Sequence, residues 1–396
     1  MALKYSSRMD KTKASEIREL LKLTIRPEVI SFAGGLPAPE LFPVEEMKKV
    51  SQKVLEENGR EALQYSPTEG FPPLREKIAK RMEFVGVNTE ADNILITNGS
   101  QQGLDFSGKI FLNPDDVVIV ESPSYLGAIN AFKAYECKFL EIPTDDDGMI
   151  MEELEKALEI TENVKMIYVI PDFQNPSGRT WSLERRERLI EIANKYDLPV
   201  VEDNPYGELR FEGERLPSIK SMDKDGRVIF LGTFSKTFCP GLRIGWVCAS
   251  DEVLNKYILI KQGADLQSNS MSQRELNAFL EDYDLDKHIE KIKELYKGRR
   301  DLMLETMKEH FPEEVKYTHP EGGLFTWAVL PEHINARELM TKALERNVAF
   351  VPGGSFFPNG GNENTMRINY SNMPEERIVE GIKILGEVIR EALNEK

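Results

Sequence analysis

The stretch RVIFLGTFSKTFCPGLRIGWVCAS, residues 227–250, decides the fold. Its two ends, 227–234 and 243–250, are apolar runs rich in β-branched and aromatic residues, of the length of fully buried strands. Between them lies Lys236, with Thr233 and Ser235 before it and Pro240, Gly241 and Arg243 after it. Burying a lysine is costly unless it is neutral or paired. A lysine just past the end of a buried strand therefore either meets solvent or performs chemistry.

Working outward, five more runs read as strands: NILIT (93–97), DVVIVES (116–122), KFLEIP (138–143), VKMIYVIP (164–171) and LPVVED (198–203). Amphipathic helical segments at 100–112, 151–160 and 183–196 separate several of them. Apolar runs alternating with such helices predict an α/β unit, a mostly parallel seven-stranded sheet covered on both faces. Past residue 285 the texture changes. A charged helix at 285–311 leads to strands at 322–330, 348–353 and 365–371, with helices at 337–347 and 375–396. PNGGNENT (358–365) reads as an exposed loop. The expected division is a large unit over 49–284 and a smaller α+β unit over 285–396, joined by an N-terminal segment, 1–48.

A chain of 396 residues has room for two such domains. Its 51 basic against 67 acidic residues leave a net charge of −16, which argues against nucleic acid or anionic membrane as partner but not against a local anion pocket. Cys137, Cys239 and Cys248 have no CxxC spacing and read as free thiols. The N-terminus is too polar for a signal peptide, and no apolar run reaches the ~18–20 residues of a membrane span. The expectation is a cytoplasmic protein. His288, His310, His319 and His333 are scattered, so no metal site is expected. TDDDG (144–148) lacks calcium-loop spacing and reads as a solvated turn, and Ser235 lacks the GxSxG context of a hydrolase nucleophile.

Ligands of open parallel sheets bind at the carboxyl ends of strands, and the notable polar residues fall there. Ser100 and Gln101 follow Gly99 and open a helix, a turn that suits a phosphate or is simply a helix cap. Tyr125 and Asn175 follow two further strands, where ring stacking and plain turn chemistry are both open readings. Asp203 ends an apolar strand, where an unpaired carboxylate needs a cation, and Tyr206 follows it. A lysine forms Schiff bases with carbonyls, an aspartate holds a pyridine nitrogen protonated, and a helix start with hydroxyls and an arginine holds a phosphate. Pyridoxal 5′-phosphate is the cofactor that uses all of these.

The ordered motifs NGSQQ (98–102), SPSY (122–125), QNPSG (174–178), DNPY (203–206) and SKTFCPGLRIGW (235–246) resemble the class I/II aminotransferases, pyridoxal-phosphate enzymes of fold type I. The resemblance runs from SFAGGLP (31–37) through QYSPTEG (64–70) to RINYSN (367–372), and is strongest to the branch of 2-aminoadipate, kynurenine and aromatic aminotransferases. It implies that Lys236 forms the Schiff base and shuttles the Cα proton, that Asp203 pairs with the pyridinium nitrogen, and that Tyr206 and Asn175 bond the ring oxygen. Tyr125 would stack on the ring, while Ser100, Gln101, Ser235, Arg243 and Thr233 hold the phosphate. Tyr65 would reach the phosphate from the other subunit of a homodimer. Arg367 would grip the substrate α-carboxylate, Gly35 would approach substrate by its backbone, and Arg18 is a candidate for a distal carboxylate.

The implied activity is amino transfer from an L-amino acid to a 2-oxo acid such as 2-oxoglutarate, in a ping-pong cycle through pyridoxamine phosphate. A C–S β-lyase on the same scaffold is the alternative. A transcription regulator with an aminotransferase-like domain is disfavoured, since the motifs begin by residue 31 and the charge is −16.

Overall fold

A computed structural model describes residues 3–11 and 26–395 of the chain. In chain order its strands are β1 (Ile30–Ser31), β2 (Ile94–Asn98), β3 (Val117–Ser122), β4 (Lys138–Asp145), β5 (Gly148–Met149), β6 (Val164–Val169), β7 (Val200–Asp203), β8 (Val228–Thr233), β9 (Ile244–Cys248), β10 (Lys316–Tyr317), β11 (Phe325–Val329), β12 (Val348–Ala349), β13 (Val351–Pro352) and β14 (Thr365–Asn369). The main sheet has the order β2-β9-β8-β7-β6-β3-β4-β5. Only β9, antiparallel to β2 and β8, and the edge strand β5 break the parallel run.

Most of the apolar runs become strands because they are buried on both faces; β4, where only Ile142 is buried, is the exception. Along β6 and its exit, Met166, Tyr168 and Ile170 pack into one core cluster, while Ile167 and Val169 pack into another on the opposite face. Every such side chain removed from water contributes on the order of 1.5–3 kcal/mol. Helices Ser100–Phe111, Met151–Ile160 and Leu183–Tyr196 lie within a residue of their expected bounds. The last is capped by Ser182 Oγ, which accepts from Arg185 N, and stopped by Asp197 in the left-handed conformation.

Two expectations change. The sheet has an eighth strand, β5, at the end of TDDDG: Asp146 and Asp147 turn the chain, and Gly148, at φ 109°, closes against Trp181. Two residues are too few to show periodicity. Asp146 and Asp147 form the exposed turn that was expected, and the run also pairs, Asp145 to Arg185 at 2.8 Å and Asp146 to Arg179 at 3.0 Å. Secondly, 348–353 is not one strand. β12 pairs with β1, β13 pairs with β14, and the buried Phe350 lies between them.

β10, β11, β14 and β13 form a separate antiparallel sheet. The N-terminal segment is held to this half of the chain by the β1–β12 pairing. Tyr296 Oη accepts from Ala38 N at 2.9 Å, and Arg299 pairs with Glu40 at 2.5 Å. These contacts place 33–35 against the carboxyl edge of the main sheet. Among the described residues no helix is long and apolar enough to cross a membrane.

Candidate active site

A cleft of about 370 Å³ opens where β3, β6, β7 and β8 end. A larger groove, about 600 Å³, runs between 146–182 and 316–329, but its arginines are already paired, Arg179 to Asp146 and Arg210 to Glu321 at 2.6 Å. The smaller cleft is the one that brings Lys236, Asp203 and Arg367 together.

Lys236 follows β8, and its Nζ donates to the Gly35 carbonyl at 2.7 Å. Burial pulls its amine down to about 8, and the nearby Arg367 and Arg243 charges add to that. Gly35 sits so close to Phe325 that a Cβ would lie 3.0 Å from its Cζ, so a larger residue there would push against that ring.

Asp203 ends β7. Tyr168 Oη donates to its Oδ2 at 3.0 Å, and Oδ1 is buried with no hydrogen-bond partner among the described residues. Burial pushes the carboxyl up to about 7 against the Tyr168 hydrogen bond, which favours the charged form. Asn175 links the other two chemical groups. Its Nδ2 donates to Tyr206 Oη at 3.3 Å, and its Oδ1 accepts from Arg367 Nη1 at 2.8 Å. Arg367 Nη2 donates to the Ala33 carbonyl at 2.7 Å. The guanidinium lies 4.1 Å from the Phe325 ring centre and 5.1 Å from that of Phe356, and burial pulls it down to about 10.

At the other end of the cleft, Gly99 (φ 71°) turns the chain from β2 into helix Ser100–Phe111, leaving the Ser100 end of that helix facing the cleft. Arg243, itself left-handed at φ 56°, donates from Nη2 to the Asn98 carbonyl at 3.2 Å and from Nη1 toward Ser235 Oγ at 3.5 Å. Thr233 Oγ1 donates to Ser235 Oγ at 2.9 Å and accepts from Ser235 N at 3.1 Å. Gln101 Nε2 donates to the Gly127 carbonyl at 2.9 Å, beside Tyr125. Hydroxyls, a helix start and an arginine thus converge on one anion-sized corner.

Twelve residues singled out in the sequence, from Gly35 to Arg367, therefore line one cleft. Tyr65 does not line it and is 80% exposed on the surface. Arg18 lies outside the described residues. Sequence reasoning missed Tyr168, Phe325 and Phe356. The first two belong to runs recognised as strands, yet no spacing rule connects them to Asp203 or Arg367 across tens to hundreds of positions. Cys137, Cys239 and Cys248 form no disulfide, and no metal-binding cluster occurs among the described residues.

The fold and cleft define an enzyme class built around a lysine amine at the carboxyl edge of a parallel sheet. The chain belongs to the class I and II aminotransferase family, whose model matches residues 28–385. Aromatic-amino-acid aminotransferase 1 of Thermococcus litoralis is 50% identical over 386 residues, 96% of this chain and 93% of its own. The 2-aminoadipate transaminase of Thermus thermophilus is 45% identical over 380 residues, 95% of this chain and 94% of its own. The crystal structure of kynurenine aminotransferase from Pyrococcus horikoshii, in complex with PMP, aligns with a TM-score of 0.95 at 44% identity, covering 98% of each chain. The architecture is fold type I, and the chain is an aminotransferase, as the motifs led one to expect.

Proposed function

We propose that the cleft holds pyridoxal 5′-phosphate and moves an amino group from an aromatic, 2-aminoadipate-like or glutamate-like L-amino acid to a 2-oxo acid such as 2-oxoglutarate. The observation that carries this reading is the buried Asp203 Oδ1, without a hydrogen-bond partner among the described residues and in the same cleft as the Lys236 amine. A cationic ring nitrogen satisfies that oxygen, and the corner at Ser100, Ser235 and Arg243 suits a phosphate. The residues present therefore fit the cofactor. Tyr125, Asn175, Tyr206, Gln101 and Thr233 would complete its contacts.

When bound, the cofactor supplies a carbonyl for the amine and a ring that accepts the electron pair released at the substrate Cα. The protein's own residues do the rest. Arg367, fixed by Asn175 and Ala33, orients the substrate α-carboxylate in a fork. Lys236, with its amine near 8, takes and returns the proton at Cα, because near neutrality a useful fraction of it is uncharged. Asp203 stays ionised against the ring nitrogen, and the buried walls keep water from the reacting atoms.

The named relatives support the donor range, and none of them is a C–S β-lyase. We propose too that the active form is a cytoplasmic homodimer in which Tyr65, exposed on its own protomer, completes the partner's anion corner. Exposed Leu63 and Leu266 and the apolar groove along 42–51 and 239–242 suit such an interface. Arg18 is proposed to meet the distal carboxylate of acidic donors, so Arg18→Ala should lower the preference for 2-aminoadipate over aromatic donors.

The test is a visible spectrum of purified protein with added pyridoxal phosphate. A band that changes with glutamate, 2-aminoadipate or an aromatic donor, and returns with 2-oxoglutarate, is the expected result. Failure to bind the cofactor, or irreversible conversion with release of ammonia, would overturn it.

A further inference from the structure

Tyr168 lies on β6 opposite Val201 of β7, so its side chain is the diagonal neighbour of Asp203, two residues along the adjacent strand. Both residues are buried, Tyr168 completely, with its ring edge-on to Phe132 at 5.6 Å and 76°. Burial and the Asp203 charge hold the Tyr168 phenol well above its ordinary range, so it stays a donor. Among the described residues its hydroxyl makes the one side-chain hydrogen bond to the Asp203 carboxyl, and it does so on Oδ2 alone.

We propose that Tyr168 is a positioning residue for the reaction: its hydroxyl occupies Oδ2 of Asp203, keeps the carboxylate ionised, and leaves Oδ1 for the protonated ring nitrogen of the cofactor. This rests on the reading that the cleft binds pyridoxal phosphate. A carboxylate with both oxygens free can rotate and meet the ring through either one. Tying Oδ2 to a rigid strand neighbour removes that freedom, and a hydrogen bond to the charged form opposes the burial that favours protonation. The other ionisable groups interacting with this pair are Tyr125 and Tyr206, whose phenols feel the Asp203 charge, and Glu121 on β3, whose charge helps raise the Tyr168 phenol. Lys236 shares the cleft. None of these is hydrogen-bonded to Asp203, so none duplicates the Tyr168 hydroxyl.

The experiment titrates the full-length apoprotein with pyridoxal phosphate at pH values on either side of neutrality, reading the dissociation constant. Tyr168→Phe keeps the ring and its packing on Phe132. It should weaken binding about 10- to 100-fold near neutral pH. It should also move the acid limb of binding to higher pH, because Asp203 then protonates more readily. Phe132→Leu, which loosens the same packing without touching the hydroxyl, should lower thermal stability and leave the acid limb in place. Should Tyr168→Phe not fold, 3-fluorotyrosine at position 168, a stronger donor, should move the limb to lower pH. A wild-type dissociation constant and acid limb in Tyr168→Phe, or an unmoved limb with the fluorinated residue, overturns the assignment. If wild type binds no pyridoxal phosphate, the cofactor reading fails first and this inference with it.

Discussion

Lys236 Nζ donates a hydrogen bond to the Gly35 carbonyl at 2.7 Å, closing a gap of 201 positions in the chain. The contact joins the end of β8 to the segment that follows β1, so the amine is aimed by two separate parts of the fold. A neutral carbonyl holds the amine in place without adding the charge that would keep it protonated.

That depressed lysine should be visible in stability. Its folded value near 8 lies below the 10.5 of an exposed lysine, so over this window the unfolded chain binds more protons than the folded one. The apoprotein should therefore gain stability as pH rises from about 8 to about 10.5, by up to about 3 kcal/mol. Lys236→Met should be more stable than wild type at neutral pH, with the advantage shrinking across that window. Urea denaturation at a series of pH values measures the difference, and the same variant should show no conversion of amino donor.

Asp203 should show the opposite trade. Its carboxyl, raised to about 7 by burial, costs the apoprotein stability once it ionises, as pH climbs from about 3.8 through about 7. Asp203→Asn removes that cost and should raise the apoprotein's Tm above neutral pH, while weakening the binding of pyridoxal phosphate. Calorimetry of apo and cofactor-loaded samples reads both effects, and a variant less stable than wild type when empty would contradict the account.

Arg367→Lys should behave as a severe change. The guanidinium serves Asn175 and Ala33 and lies between Phe325 and Phe356, and a lysine can supply neither the fork nor the flat face. A loss of about 2–5 kcal/mol in kcat/KM is expected. It should fall mainly on KM, since the substrate carboxylate is held before and during the reaction. Steady-state kinetics at saturating 2-oxo acid give the split.

Gly245→Ala tests the anion corner through backbone alone. A Cβ there would lie 2.6 Å from Gly99 C and 2.7 Å from Ser100 N, and neither atom can yield as a flexible side chain does. The Gly99–Ser100 turn must move. A loss of about 1–3 kcal/mol of stability is expected, together with weaker pyridoxal phosphate binding, both measurable on one preparation by thermal unfolding and titration.

Much of this was legible in the chain. The runs at 93–97, 116–122, 138–143, 164–171, 198–203, 227–234 and 243–250 all contain strands, and all but 138–143 announce themselves because a strand buried on both faces must be largely apolar. The site residues were legible for a related reason. Asp203 and Lys236 are polar residues where strands end and Arg243 one where a strand begins, and a charge beside such a run needs a chemical reason. β5 and the split at Phe350 were not legible, since two-residue pairings carry no period.

The residue sequence by itself determined which side chains exist at the strand ends and the family whose motifs they spell. It also contained the α/β order that stacks those ends along one edge. Only the tertiary structure decided which groups are satisfied and which are left over. The Tyr168 hydroxyl meets Oδ2 of Asp203 and leaves Oδ1 without a partner among the described residues, Asn175 joins Tyr206 to Arg367, and Phe325 and Phe356 lie against that arginine. Such pairings depend on strand register and on angles across tens or hundreds of residues, and no local pattern encodes them. They set the charge states on which the chemistry depends, because hydrogen bonding and burial act through space rather than along the chain.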